Sequence, residues 1–253
     1  MRKLCNIAVM IVGLAVITAA IVSATPAEDF DKANALYRDK EYDKAIELYR
    51  GIAKQGIESG PLYFNLGNAY FKNGDLGHAI LYYMKAKRLS PGDDDITSNL
   101  EFARQFTSIQ MEGVQLNPIN SFFESIVSPY RLSTLAWIAS AFFVLFMIVL
   151  IVRYGLGFRT SMVRAGIVVT LILLVSSGFI TTFKYRHDYL TQRAVLVADE
   201  TPVRSGPSEE MDVELEGAPG LVVEILSESG DYYNVLFENK RRGWIKKDLV
   251  AEI

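Results

Sequence analysis

The chain has 253 residues, half of them hydrophobic, and a formal net charge of -3. This near-neutral charge excludes a global electrostatic field that would favour nucleic acid or acidic partners. The only cysteine is Cys5, which excludes an internal disulfide and a thiolate metal cluster. No nucleophile elbow, phosphate-binding loop, zinc spacing or paired-carboxylate motif is present. We therefore expect a non-enzymatic protein with no catalytic residues, no metal site, no cofactor and no nucleic-acid partner.

Residues 1–24 are typical of a secretory signal peptide. Arg2 and Lys3 precede an apolar run over residues 7–22, and the small residues Ser23 and Ala24 follow it. We expect cleavage after Ala24 and export of the chain beyond it. An uncleaved signal would instead form a third membrane span, with the same basic flank in the cytoplasm.

Residues 26–110 have helical periodicity and repeat themselves every 34 residues. Residues 42, 45 and 49 recur at this offset as residues 76, 79 and 83. Within residues 60–93 the spacing resembles the tetratricopeptide (TPR) repeat, carried by Tyr63, Leu66, Gly67, Tyr70, Gly74, Ala79, Tyr83, Ala86 and Pro91. The resemblance implies stacked pairs of antiparallel helices, with small residues at the close approaches.

The repeat pattern also predicts where the helices end. Residues 73–75 form the turn within the second repeat, and Pro91 with Gly92 ends its second helix. The first repeat is weaker, because Asp29 and Lys40 replace the usual aromatic residue and glycine. We expect two repeats followed by a capping helix that starts at the acidic residues 93–95. A calcium loop is the alternative for this acidic run, but the ligand spacing of an EF-hand is absent, so helix capping is favoured.

The TPR resemblance implies a concave face that binds an extended partner segment. The expected binding residues are Asn34, Asn65, Asn68, Phe71, Lys72 and Asn99. A carboxylate clamp is not expected, because Phe30, Asp95 and Asn99 stand where lysine or arginine is usual. The alternative is that Asn65 and Asn68 support helix packing instead.

Two apolar stretches, residues 132–152 and 165–183, are each long enough to cross about 30 Å of hydrocarbon as a helix. Residues 111–131 are expected to form a juxtamembrane linker with Phe122, Phe123, Ile126 and Val127 on one helical face. The loop over residues 153–164 carries three arginines and no acid, which indicates a cytoplasmic location. The lipid bilayer is thus one expected partner, and both soluble modules are expected on its outer side.

Residues 193–253 contain short β-like runs at residues 194–197, 221–225, 232–237 and 243–245. Together with Gly206, Pro207 and the string Gly243, Trp244 and Ile245, they resemble a bacterial SH3-like (SH3b) domain. Candidate surface residues are Tyr232, Tyr233 and Trp244, although a core role for Trp244 is favoured. A basic cluster over residues 240–247 indicates either contact with an anionic wall polymer or a hairpin turn, and the hairpin is favoured.

The order of export signal, TPR repeats, two spans and SH3-like domain resembles the BatE family of the Bat (Bacteroides aerotolerance) group. The strings at residues 63–70 and 95–100 add to this resemblance. It implies a multi-domain fold with all-α TPR helical repeats, two transmembrane helices and a small all-β SH3-like barrel. It also implies an inner-membrane complex with von Willebrand A-domain Bat proteins, and periplasmic TPR and SH3-like domains.

The resulting hypothesis is a membrane-anchored protein-interaction scaffold of the bacterial envelope, within a Bat-type aerotolerance or stress complex. The alternative is a protein that binds peptidoglycan, or regulates a wall hydrolase, through the SH3-like domain. A sensor that signals through the spans is disfavoured, because the loop over residues 153–164 is too short for an output domain.

Overall fold

The computed structural model describes residues 25–108 and 127–253. The expected signal peptide, residues 1–24, lies outside these ranges, as does most of the expected juxtamembrane linker, including Phe122, Phe123 and Ile126. The chain divides into two compact units, the first ending at Ile57 and the second beginning at Glu58.

The first unit contains one antiparallel helix pair, α1 (Pro26–Arg38) and α2 (Tyr42–Lys54). Thr25 and Glu28 begin α1 with a reciprocal capping box, which satisfies two otherwise unpaired backbone N–H groups. Ala33 and Ala45 are fully buried, which permits close approach of the two helices. The ring of Tyr49 packs 5.8 Å from that of Phe30. This pair is the weaker first repeat predicted above.

Lys40 replaces a glycine at a physical cost. Its φ is 64°, in the left-handed region, and Gly74 adopts φ 87° at the same position one repeat later. A side chain disfavours this conformation by about 1–2 kcal/mol, which the extra freedom of an unfolded glycine partly offsets. We expect Lys40→Gly to stabilise the first repeat by about 1 kcal/mol in chemical denaturation. Lys32→Gly, within α1, is the control and should destabilise by about 1 kcal/mol; equal shifts for both variants would contradict the argument.

The second unit begins with three helices, α3 (Gly60–Lys72), α4 (Leu76–Leu89) and α5 (Asp94–Ser108). The turn at residues 73–75 and the end of α4 before Pro91 confirm the predicted turn and the predicted helix end. Asp93 Oδ1 accepts hydrogen bonds from the backbone nitrogens of Asp95 and Ile96 at 3.1 and 3.2 Å. The acidic run therefore caps α5, as expected.

Asp75 caps α4 in a way that depends on its charge. Its Oδ1 accepts from the backbone nitrogen of His78 at 3.0 Å, and its Oδ2 lies 2.8 Å from His78 Nδ1. Burial alone would raise the pKa of Asp75, but the side-chain and backbone hydrogen bonds with His78 outweigh it and lower the pKa. The cap thus stabilises the fold fully at pH values above the pKa of Asp75 in the unfolded chain. This stabilisation is lost as pH falls through the lower pKa of Asp75 in the folded protein.

We expect Asp75→Ala to cost about 1 kcal/mol at pH 7, since it removes a helix cap. The difference from the unmodified protein should shrink as pH falls from about 4, the ordinary pKa of an aspartate, through the lower folded-state pKa of Asp75. Urea denaturation at pH 7 and pH 3 measures both values. Ser59→Ala is the control, because Ser59 Oγ caps α3 through the Leu62 nitrogen at 3.2 Å without titrating. A pH-independent cost at Asp75 would refute the charge dependence.

Two long apolar helices follow, α6 (Leu132–Leu150) and α7 (Ser161–Tyr185). Each continues into one wider helical turn, Ile151–Gly155 and Arg186–Leu190 respectively. Both are long and apolar enough to cross a membrane. They extend beyond the predicted spans, so that only residues 156–160 connect them. The hydroxyl groups of Ser140 and Thr170 donate to backbone carbonyls one turn earlier, which satisfies them within the helix.

The C-terminal domain is a seven-stranded antiparallel sheet in the order β3-β2-β6-β5-β4-β1-β7. Its strands are β1 (Arg193–Leu196), β2 (Thr201–Arg204), β3 (Val213–Gly217), β4 (Val222–Ser229), β5 (Tyr232–Phe237), β6 (Arg242–Lys246) and β7 (Val250–Glu252). Val203 from β2 and Val250 from β7 share one buried core although their strands are far apart in the sheet order. The sheet therefore folds onto itself, which agrees with the predicted small SH3-like fold. The sequence runs located β1, β4, β5 and β6 but missed the short strands β2, β3 and β7.

The C-terminal domain, residues 193–253, is called here the β domain, and it packs directly on the second repeat. A Cβ on Gly77 in α4 would lie 2.7 Å from Val197 Cα and 2.8 Å from Leu196 O, just after β1. A Cβ on Gly220 would lie 2.5 Å from Ile80 Cδ1 and 2.6 Å from Thr107 Cγ2. The sequence indicated two separate modules, whereas the structure joins them through glycines that permit backbone contact.

Candidate functional site

Among the described residues, three phenylalanines pack together on α3 and α5 and are called here the phenylalanine cluster. The Phe71 ring lies 5.7 Å from that of Phe102 and 5.9 Å from that of Phe106, and the latter two are 5.4 Å apart. Phe102 and Phe106 are each 51% exposed. Phe71 was predicted as a binding residue, and the structure brings it together with two residues that were not. Their four-residue spacing in α5 was the available signal, because it places both on one helical face.

The predicted asparagines have different surroundings. Asn68 Oδ1 accepts from the Tyr83 hydroxyl at 2.7 Å and from Asn99 Nδ2 at 2.8 Å. Asn34 Oδ1 accepts from the Tyr49 hydroxyl at 2.6 Å, which is the Asn68–Tyr83 bond one repeat earlier. Through these hydrogen bonds Asn34 and Asn68 hold neighbouring helices together.

The remaining predicted residues of the helical face lie on α3. Asn65 is half-buried and Lys72 is exposed, one position after Phe71. Lys72 therefore places an exposed positive charge next to Phe71 in the sequence of α3. An acidic or amide-rich partner segment would complement this edge of the cluster.

In the β domain, three strands place polar and aromatic residues on one face, called here the outer face. Trp244 in β6 pairs in register with Asn234 in β5 and with Arg204 in β2. Tyr232 pairs with Lys246 in the next row of the same face. Residues directly opposite in an antiparallel sheet point to the same side, so these five side chains are neighbours.

Two buried polar atoms on the outer face have no hydrogen-bond partner among the described residues, Tyr232 Oη and Asn234 Oδ1. A buried polar atom without a partner costs about 1–3 kcal/mol, so a ligand that displaced the neighbouring side chains and supplied a partner would regain that energy here. Nearby, Arg204 Nη1 donates to the carbonyl oxygens of Glu209 and Met211 at 2.9 and 2.8 Å. Lys246 pairs with Glu209, whose carboxylate raises the pKa of the lysine by hydrogen bonding and charge.

Tyr233 lies on the opposite side of β5 from Tyr232 and packs against the domain core. Its hydroxyl donates to Glu252 Oε1 at 2.7 Å, and this hydrogen bond raises the pKa of Tyr233. Lys247 Nζ lies 5.1 Å from the centre of its ring. The structure therefore brings Tyr232 and Trp244 together and separates Tyr233 from them.

The basic run at residues 240–247 follows the β5–β6 hairpin. Lys240 and Arg241 occupy the turn, where the Lys240 nitrogen donates to Phe237 O at 3.0 Å and the Phe237 nitrogen donates to Arg241 O at 2.9 Å. Trp244 itself is half-buried on the outer face. It is placed away from the core cluster, which differs from the core role favoured by its sequence pattern.

Comparison with known families agrees with this architecture. Residues 61–93 match the tetratricopeptide repeat family, and residues 197–252 match the bacterial SH3 domain family. Among curated proteins, none matches the chain in sequence. The chain is thus a multi-domain protein with a TPR repeat, a bacterial SH3 domain and two apolar helices between them. Tetratricopeptide repeats are typical of protein–protein interaction and bacterial SH3 domains of cell-wall binding, and both are typically non-catalytic.

Proposed function

We propose that the protein is a membrane-anchored, non-enzymatic scaffold of the bacterial envelope that binds a segment of another envelope protein on its helical module. The observation that carries the proposal is the phenylalanine cluster, in which Phe102 and Phe106 are half exposed. Clustered exposed aromatic side chains are costly in water and are frequent energetic centres of interfaces.

The contact between the β domain and α4 supports the proposed topology. The contact between Gly77 and Val197 supports a topology in which the residues before α6 and after α7 lie on the same side of the bilayer. The short connection at the other end is flanked by Arg153 and Arg164 and contains Arg159, which favours a cytoplasmic location. Export by the signal peptide then places both modules in the periplasm, anchored in the inner membrane.

We infer the binding partners from the resemblance to the BatE family. On this basis the helical module binds a periplasmic segment of a von Willebrand A-domain Bat protein, within an aerotolerance or stress complex. A second contact through the β domain would raise the effective concentration of the partner, because both modules are held together.

Photocrosslinking in intact cells tests the scaffold proposal. A photoreactive amino acid at Phe102 should form adducts with a periplasmic segment of another membrane protein, identified by mass spectrometry. Glu101, exposed on the same helix but outside the cluster, is the matched position and should give no such adduct. If both positions gave the same adducts in equal yield, crosslinking would reflect non-specific encounters, which would contradict the proposal.

A paired substitution gives a second test. Phe102→Ala with Phe106→Ala should lower partner capture at least tenfold, since aromatic anchors often contribute about 2 kcal/mol or more. Glu101→Ala with Gln105→Ala is the control, because it has the same spacing on the same exposed helix. Unchanged capture by the phenylalanine pair, measured by co-purification of the crosslinked partner, would exclude the cluster as the binding site.

The unpartnered atoms of the outer face favour a second candidate function, binding of peptidoglycan through the β domain. In this case Tyr232→Phe should reduce retention on purified sacculi, because it removes the hydroxyl group that a ligand would pair. Tyr233→Phe is the matched control, since the adjacent hydroxyl lies on the opposite side and pairs with Glu252. Retention that is equally low for the unmodified protein and both variants would exclude wall binding.

A further inference from the structure

A cavity of about 740 Å³ lies within the second unit, where α4, the end of α7 and the β domain meet. Its volume falls within the range of roughly 300–1,000 Å³ that is usual for small-molecule sites. Phe179, Thr182 and Phe183 of α7 form an apolar wall on one side. The rest of the lining is rich in charged side chains.

The charges around this cavity are predominantly positive. Among the described residues, seven basic and three acidic side chains line it. Asp188 and Lys184 pair with each other at 2.9 Å, which leaves six basic and two acidic side chains. The basic residues come from three parts of the fold: Lys87, Arg88 and Arg104 from the helices, Lys184 and Arg186 from α7 and the wider turn after it, and Arg193 and Lys240 from the β domain. Cations that converge on one concave space favour an anionic ligand.

The two kinds of lining are separated along α7. Phe179 precedes Arg186 by seven residues, which corresponds to about 10 Å of helix. Tyr185 and Tyr189 are exposed at the same end, as expected for side chains at a membrane–water interface. With a bilayer around α7, Phe179 lies at the depth of acyl chains and Arg186 at the depth of head groups, and Phe183 and Lys184 lie between them.

We propose that this cavity binds the phosphate head group of an anionic phospholipid, with its acyl chains along Phe183 and Phe179. A free phosphate would use the basic lining but leave the apolar wall uncovered, whereas a lipid covers both. The bound lipid contacts the helical repeat, the span and the β domain at once, so it strengthens their association. The inference rests on the proposed membrane insertion but not on the proposed partner.

Native mass spectrometry of the full-length protein tests this inference. The protein in detergent is titrated with phosphatidylglycerol, phosphatidylcholine or inorganic phosphate. We expect retention of one phosphatidylglycerol molecule with a preference on the order of tenfold over phosphatidylcholine, because basic residues at a membrane surface each favour anionic lipid substantially. Displacement of the lipid by inorganic phosphate at equal concentration would overturn the lipid as the occupant.

Arg104→Gln with Arg186→Gln should abolish the preference. Arg159→Gln with Arg164→Gln is the matched control, because it removes two arginines at the opposite end of the helix pair and should leave the preference unchanged. Equal losses in both double variants would mean non-specific lipid contact and would overturn the site. Thr182→Trp, which fills the cavity without changing charge, should also release the lipid, and full retention by this variant would refute the location.

Membrane extraction of the same proteins separates this inference from the proposed function. If the unmodified protein resists carbonate extraction but shows no lipid preference, the cavity proposal fails while membrane anchoring stands. If it is extracted by carbonate, the anchoring itself fails. Photocrosslinking from Phe102 reports on the partner independently of both results.

Discussion

Gly77→Ala is expected to detach the β domain from the second helical repeat. The added methyl group would meet backbone atoms, Val197 Cα at 2.7 Å and Leu196 O at 2.8 Å, which cannot rotate away as a side chain does. Overpacking of this kind costs about 1–3 kcal/mol, which weakens docking by about five- to 150-fold. Calorimetry of the full chain should resolve separate unfolding of the two domains, and hydrogen exchange should increase at the α4 surface.

The matched control for this prediction is Gly51→Ala in α2. Gly51 is also within a helix, but its added Cβ would meet nothing within 4 Å. Alanine is the better helix former by about 1 kcal/mol, so this variant should be slightly more stable. If Gly77→Ala behaved like Gly51→Ala, the direct contact between α4 and the β domain would be wrong.

Gly67→Ala is expected to destabilise the second repeat itself by about 1 kcal/mol. Its Cβ would lie 2.7 Å from Cδ1 of Tyr83. The Tyr83 ring is 2% exposed and its hydroxyl group is held by Asn68, so it has little room to move. The overpacking cost of about 1–3 kcal/mol therefore exceeds the gain of about 1 kcal/mol in helix propensity.

Far-ultraviolet circular dichroism during urea titration measures this loss. The same glycine-to-alanine change is thus expected to have a different effect at each of three positions. It should stabilise the protein at Gly51, weaken helix packing at Gly67 and weaken docking of the β domain at Gly77. Gly67→Ala should shift the helical signal, while Gly77→Ala should mainly affect the contact with the β domain. A neutral result at Gly67 would contradict the close packing against Tyr83.

The helical module was predictable because its pattern is local and repeated. A 34-residue period places Asn34 and Tyr49 in the same relation as Asn68 and Tyr83, and the structure shows the same hydrogen bond in both pairs. The glycine position of the turn was also predictable, and its replacement by Lys40 keeps the left-handed backbone. Regular periodicity thus specified local structure even where the residue type departed from the pattern.

The contact between domains could not be predicted in the same way. Gly77 has no distinctive sequence signal. Gly220 is typical of a turn glycine, and its φ is 86°. Their roles depend on Val197 and Ile80, which are distant in sequence and meet only in the folded chain. The cavity beside them has the same origin, since its lining comes from helices, span and sheet together.

The candidate sites were predicted in part. Alternation along a strand means that Tyr232 and Tyr233 point to opposite sides, but it does not say which side faces the core. Phe71 was identified from its repeat position, whereas Phe102 and Phe106 lie in a helix that was considered only as a cap. The exposure of Phe102 and Phe106, which the sequence does not give directly, makes the phenylalanine cluster a candidate site.

The connection between α7 and the β domain limits how far the protein reaches from a membrane. Only Thr191 and Gln192 separate the last helical turn from β1, and two residues span at most about 7 Å. A domain of this size has a radius of gyration of about 10 Å, so its far surface stands roughly 35 Å above the lipid head groups. With the proposed insertion, any molecule captured by the outer face must come within that thin layer, which favours membrane-proximal ligands over distant wall strands.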